Sequence, residues 1–298
     1  MSIDIHNAPF DSPREILELL QSNGLTTKKR FGQNFLVNND ARRRIIEALR
    51  IQGGETVWEI GPGIGSLTAT LAQQKIGLTV FEIDHGFVRV LQQMFSEGRR
   101  VTIVEGDFIK TWPAYRDFAG EPDLIVGNLP YSCSTAIFLS LIECGISAKR
   151  IVCTVQKEAA VRMTALPGNP EYSSFSALCG LTWRIERIGD LQAGSFFPRP
   201  RVRSTIIALE PRVQSHPVSP EVLLSGTRAL FAGRRKTIRN NLKMAVAGDE
   251  SIAAELYQEA EQSGFDLSSR PETLAPEEVA DLAVILSKYM PPTDNGLR

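Results

Sequence analysis

Two periods of apolar residues share this chain. Short apolar runs at 56–60 (TVWEI), 78–82 (LTVFE), 101–104 (VTIV), 124–126 (LIV) and 151–155 (IVCTV) predict buried strands. Helix-like segments separate most of them, at about 65–75, 85–96 and 134–143. Strands and helices in alternation, joined by right-handed crossovers, predict an α/β fold with a doubly wound, mostly parallel sheet of Rossmann-like type. Upstream, "SPREILELLQS" (12–22) reads as a short helix: Ser12 caps, Pro13 suits the first helical position and Glu15 completes a capping box. An ordered loop with basic, glycine and aromatic residues (26–36) and a helix over about 39–50 follow. Runs at 181–189 and 204–210 predict an antiparallel pair that closes the sheet. After Pro211 the strand signal stops and helical periodicity takes over. The expected organisation is an N-terminal extension (1–25), a sheet domain (26–211) and a smaller helical domain (212–298).

Length agrees: 298 residues suffice for a full core plus a second domain. No stretch approaches the roughly 18 apolar residues of a membrane span, and the acidic start lacks the apolar run of a signal peptide. Cys133, Cys144, Cys153 and Cys179 form no C-x-x-C pair, and His6, His85 and His216 are scattered, so no metal centre is expected. These features predict a cytoplasmic monomer with no membrane partner. A net charge of −1 says little until its distribution is seen. Ser195–Lys243 holds ten Arg/Lys against two Glu, whereas Met244–Arg298 holds eleven Asp/Glu against three Arg/Lys. Such asymmetry is a footprint of polyanion binding. Solvated helix faces are the competing explanation.

Candidate chemistry gathers where the parallel strands end. "VWEIGPGIGSLT" (57–68) runs from a strand into Gly61, Gly63 and Gly65 and then a helix, a turn that lets backbone approach a ligand. The G-x-G-x-G spacing differs from the dinucleotide fingerprint. Glu82 ends the next strand, 21 residues after Gly61, where an acid accepts hydrogen bonds from ribose hydroxyls. Asp107 follows the third strand and suits an adenine amino group. Together they favour S-adenosylmethionine over NAD.

"GNLPYSCSTAIF" (127–138) then places an amide, a proline and a phenol at the same edge. The exocyclic nitrogen of adenine is a poor nucleophile, because its lone pair is delocalised into the ring. Two oxygen acceptors on its N–H groups would aim that lone pair at a methyl donor. The Asn128 side chain and the Leu129 or Pro130 carbonyl can supply them. Pro130 removes a donor and fixes the turn. Tyr131 offers a face to an extruded base, worth roughly 1–3 kcal/mol.

Six segments occur in one order: "FGQNFL" (31–36), "EIGPGIGSLT" (59–68), "NLPY" (128–131), "VQKE" (155–158), "FFPRPRVRS" (196–204) and "RRKTIRNNL" (234–242). In them the chain resembles the KsgA-type (RsmA) small-subunit ribosomal RNA adenine dimethyltransferases, from about residue 26 nearly to the end. The resemblance implies cofactor contacts at Asn34, Leu36, Gly61, Glu82, Asp107 and Asn128, and an aromatic, Phe196, facing the target adenine opposite Tyr131. It implies dimethylation of two adjacent adenines in the 3′-terminal hairpin of small-subunit rRNA, within an immature 30S particle. NLPY alone would also admit the erythromycin-resistance methylases of large-subunit RNA, and a binding factor in ribosome assembly is a further alternative. Arg234, Arg235, Lys236, Arg239 and Lys243 are the expected RNA contacts, with Arg235 and Arg239 spaced for one helix face. Three features depart from the family: the long N-terminal lead, Arg199 within a run that is often proline, and a less basic total charge.

Overall fold

The computed structural model describes residues 10–26, 33–95, 101–212 and 217–290. His6, His216 and most of the 26–36 loop lie outside them. The chain divides into two compact units, Met1–Ala160 with Ile185–Pro211, and Val161–Arg184 with Arg212–Arg298.

The first unit carries β1 (Phe35–Leu36), β2 (Thr56–Ile60), β3 (Gly77–Glu82), β4 (Val101–Glu105), β5 (Leu124–Asn128), β6 (Arg150–Gln156), β7 (Trp183–Leu191, which begins in the second unit), β8 (Phe196–Phe197) and β9 (Ser204–Pro211). Seven of these form one sheet in the order β4-β3-β2-β5-β6-β9-β7. The first five are parallel and β9 runs antiparallel to β6. β2 and β5 are therefore sequence-distant neighbours at the point where the winding reverses. Crevices outside the carboxyl ends of such strands are where open α/β sheets bind ligands. Gly61 and Asn128 both stand there.

The helices of this unit are α1 (Pro13–Ser22), α2 (Asn39–Leu49), α3 (Thr68–Leu71), α4 (His85–Met94), α5 (Phe108–Ala119), α6 (Ser134–Glu143) and most of α7 (Lys157–Met163). Ser12 accepts the Glu15 N–H at 3.2 Å, which is one half of the expected capping box. Ile16, Leu19 and Leu20 of α1 join the core of this unit, so the described part of the N-terminal extension packs as part of it. The expected 65–75 helix shrinks to the single turn of α3, because glycines with positive φ hold the preceding residues in a tight turn. α5 escapes the sequence pattern because Pro113 reads as a breaker. It holds because Trp112 is fully buried and donates Nε1–H to Ser140 Oγ at 2.9 Å.

The second unit contains α8 (Ser174–Thr182), α9 (Pro220–Leu230), α10 (Ile238–Ala245), α11 (Glu250–Gln262) and α12 (Pro276–Ser287). Tyr172 and Ala177 pack in one core with Leu230, Ile238, Leu242, Leu256 and Leu286, and the Tyr172 hydroxyl donates to the Leu274 carbonyl at 2.9 Å. Residues 161–184, expected with the sheet, thus cluster with the helices. α8 lacks a polar face, so no helical periodicity marks it in the sequence. α9 and α12 approach closely at Gly226, where an added Cβ would lie 2.8 Å from the Ala283 Cα. Gly226→Ala would gain about 1 kcal/mol of helix propensity, yet the rigid backbone opposite cannot yield. We expect a net loss of about 1 kcal/mol or more, read by denaturant unfolding; a stabilised variant would contradict this packing.

Candidate active site

Two adjoining cavities lie along the switch point. The first, about 70 Å³, is lined by Asn34, Leu36, Glu59, Gly61, Gly63, Glu82, Asn128 and Pro130, among others. The second, about 210 Å³, is lined by Gly61, Ile83, Asp107, Phe108, Pro130, Cys133 and their neighbours. Gly61, Ile83 and Pro130 border both.

The glycine turn wraps a carboxylate. Gly63 has φ +57° and donates its N–H to Glu82 Oε2 at 2.9 Å, while the Asp84 N–H reaches Oε1 at 2.7 Å. A Cβ on Gly63 would approach the Phe35 ring to 3.1 Å, so backbone alone fits between ring and cavity. Glu82 is 4% exposed, and burial pushes its carboxyl up to about 7. A second carboxyl, Glu59 of β2, lines the same cavity and accepts from Thr68 Oγ1 at 2.7 Å. Burial, with the charge of Glu82 adding to it, pushes Glu59 up to about 8. Glu59 is not among the site residues expected from the sequence, where an acid inside the apolar run VWEI is its one visible signal. On the far side of Ile83, Asp107 accepts the Ile109 N–H at 3.1 Å and caps α5, which anchors its carboxylate at the second cavity.

Asn128 closes β5 and is held from two sides. Its Nδ2 donates to the Asn34 carbonyl at 2.6 Å, and its Oδ1 accepts from the Thr154 hydroxyl on β6. One lone pair of Oδ1 is thus engaged and one remains for an incoming N–H. The Pro130 carbonyl accepts both the Cys133 N–H at 3.2 Å and, more weakly, the Cys133 thiol at 3.6 Å. An added Cβ on Gly127 would come within 2.7 Å of the Ile60 carbonyl, so the glycine lets the turns after β2 and β5 converge.

Tyr131 is half-buried, and its hydroxyl pairs with Ser204 Oγ. Burial raises the phenol above its ordinary value, so it is neutral at pH 7. β1 and β8 pair antiparallel, Phe35 with Phe197 and Leu36 with Phe196, which joins two motifs some 160 residues apart. Phe196, expected to face a base, is 1% exposed and packs in the core. Its neighbour Phe197 is only half-buried.

The expected basic helix face is corrected by the cap of α10. Thr237 is the N-cap and the helix starts at Ile238, so Arg234, Arg235 and Lys236 lie in the preceding turn. No helical stripe joins Arg235 to Arg239. Buried Asn241 holds that turn, accepting the Gly233 N–H at 2.8 Å and donating to the Gly233 and Thr237 carbonyls. Arg234 donates to the Pro170 carbonyl, and the Lys236 ammonium lies 3.1 Å from the Met244 sulfur. Arg239 pairs with Glu261 and sits 4.4 Å over the Tyr257 ring, and Lys243 pairs with Glu250. Arg235 is exposed and has no partner among the described residues.

The chain matches the ribosomal RNA adenine dimethylase family over residues 24–264. A Treponema denticola protein named ribosomal RNA small subunit methyltransferase A is 36% identical over 269 residues, covering 89% of this chain and 92% of that protein. The crystal structure of a dimethyladenosine transferase from Plasmodium falciparum matches with a TM-score of 0.72 and 24% identity, over 85% of this chain and 97% of that one. The crystal structure of the 23S rRNA methyltransferase ErmE matches with a TM-score of 0.59 and 22% identity, over 85% and 100%. At those identities the two structures bear on fold alone.

Proposed function

Because the chain belongs to the ribosomal RNA adenine dimethylase family, we propose that it dimethylates the N6 amines of two adjacent adenines in the 3′-terminal hairpin of small-subunit rRNA, using S-adenosylmethionine. It is an rRNA adenine dimethyltransferase, and we place its work in the cytoplasm, as a monomer acting on immature small subunits. The observation that carries the reading is Asn128, clamped from two sides and lining one cavity together with the buried carboxyl of Glu82.

The residues suit the cofactor. Glu82 would accept the ribose hydroxyls, Asp107 the adenine amino group, and the backbone at Asn34, Leu36 and Gly61 would line the remainder. When bound, S-adenosylmethionine supplies an electrophilic methyl group. The free lone pair of Asn128 Oδ1 accepts one N6–H, and the Pro130 carbonyl, giving up its weak contact with the Cys133 thiol, accepts the other, which aims the nitrogen lone pair into the cavity. Tyr131 stacks on the base, while Phe196 is buried in the core. Alignment of this kind can remove roughly 7–11 kcal/mol of barrier. No strong base is needed, since the N6 proton becomes acidic only as the new bond forms. After the first transfer one N–H remains, so one acceptor suffices for the second.

RNA affinity should draw on the turn before α10. Arg235 is free to meet phosphate, whereas Arg239 and Lys243 must first release exposed carboxylates worth about 1 kcal/mol or less. We expect Arg235→Ala with Lys236→Ala to weaken particle binding and flatten its salt dependence by up to about two units of slope, with cofactor affinity unchanged. Parallel salt curves for the two proteins would remove these side chains from the interface. The function itself is tested by incubating the protein with S-adenosylmethionine and immature small subunits, then analysing nucleosides by mass spectrometry. N6,N6-dimethyladenosine is expected, and its absence refutes the reading.

A further inference from the structure

The loop between β8 and β9, "PRPRVR" (198–203), carries three arginines, and no carboxylate occurs in the chain between Asp190 and Glu210. Arg199, Arg201 and Arg203 are all exposed, and none has a hydrogen-bonded or ionic side-chain partner among the described residues. Other arginines near the ends of this sheet behave differently: Arg150 and Arg50 both reach Glu210, and Arg187 lies 3.8 Å from Asp190. Asp190 itself is engaged elsewhere. It takes the Lys157 ammonium at 2.5 Å and the Thr205 hydroxyl at 2.8 Å.

Both ends of the loop are fixed beside the base-handling residues. At one end Phe197 pairs with Phe35 of β1, which lines the first cavity. At the other, the Arg203 carbonyl accepts the Lys157 N–H at 2.9 Å, and the next residue, Ser204, holds the Tyr131 hydroxyl. The loop therefore carries three unneutralised guanidinium groups in the five residues before the partner of Tyr131, Arg203 standing next to it.

We propose that Arg199, Arg201 and Arg203 form a phosphate clamp that grips the RNA backbone flanking the adenine presented to Asn128. This rests on the rRNA-methylating function above and adds the part of the site that holds the strand. Extruding a base sacrifices its stacking and pairing, so grips on the adjoining phosphates must offset that loss. The arginine fork suits phosphate oxygens, making paired, charge-assisted hydrogen bonds that an ammonium cannot reproduce. Contacts of this type position the strand and carry no sequence information. An acidic protein surface would also attract the loop, but it would give no reason for placing it beside the tyrosine.

The test compares wild-type protein, the triple variant Arg199→Ala/Arg201→Ala/Arg203→Ala, and a triple Arg→Lys variant, all as full chains. Readouts are methyl transfer to immature small subunits, particle binding against salt, calorimetric S-adenosylmethionine affinity and thermal unfolding. Losing three phosphate contacts should raise KM for the particle about 10- to 50-fold near physiological salt and flatten the salt slope by about two units. The kcat should stay within a few-fold, and cofactor affinity and unfolding should be unchanged, because all three side chains are exposed. The lysine variant should restore the salt slope but only part of the affinity. A folded alanine variant with wild-type KM and slope overturns the clamp alone. A wild-type protein that neither binds nor methylates the particles overturns the function and the clamp together.

Discussion

Asn128→Ala lowers methyl transfer to small-subunit particles by at least about a hundred-fold, the scale expected when a reacting group is misplaced by about 1 Å. S-adenosylmethionine affinity stays within a few-fold, because the amide orients the acceptor nitrogen more than it grips the donor. The structure adds a graded version of this test. Thr154 donates to the Asn128 oxygen, and Asn34 accepts from its nitrogen. Thr154→Val removes the hydroxyl that sets the oxygen's direction, so turnover should fall to a value between wild type and Asn128→Ala, while Thr154→Ser stays near wild type. Single-turnover rates at saturating particle concentration measure both. Near-normal rates in a folded Asn128→Ala variant would remove the residue from the chemistry.

Glu82→Gln abolishes most of the pH dependence of cofactor binding. Burial raises the Glu82 carboxyl to about 7, whereas an unfolded glutamate titrates near the ordinary value of about 4.3. Between those values the folded protein holds more protons than the unfolded chain. Its stability therefore falls as pH rises through this window and levels off above about 7. Glu59, raised to about 8, extends the same slope upward. Ribose hydroxyls donating to Glu82 would favour its charged form and lower its pKa on binding. Affinity should then increase from pH 5.5 to about pH 7.5, with proton release seen by calorimetry in buffers of different ionisation enthalpy. At pH 8 the glutamine variant should bind about ten-fold or more weakly, given roughly 1.5–3 kcal/mol for a hydrogen bond to a charged group. At pH 6, where wild type is already largely protonated, the gap should narrow. Equal affinities at pH 8 would contradict the ribose assignment.

The parallel sheet was readable because its five parallel strands are short, mainly apolar runs, and four of them are largely buried, which leaves little of a polar face to blur the signal. Glu82, Asp107 and Asn128 could be placed on one edge for the same reason: each stands at or just beyond the end of such a run. What could not be read was decided by contacts between distant segments. α5 depends on Trp112 burying itself against α6 despite Pro113, and α8 has no polar face to announce it. Phe196 looks like any loop aromatic until the pairing with Leu36 places it in the core. The basic residues near α10 suggested one helix face because charge spacing carries no information about where a cap falls. Buried Asn241 sets that turn, and Glu250 and Glu261, from another helix, neutralise two of the five candidate cations.

The most direct test places small and large immature subunits side by side with wild-type protein and methyl-labelled S-adenosylmethionine, followed by mapping of the labelled positions. Label confined to two adjacent adenines of the small-subunit 3′-terminal hairpin, with two methyl groups on each N6, is the predicted result. Label on large-subunit RNA, or none on either particle, would contradict the account.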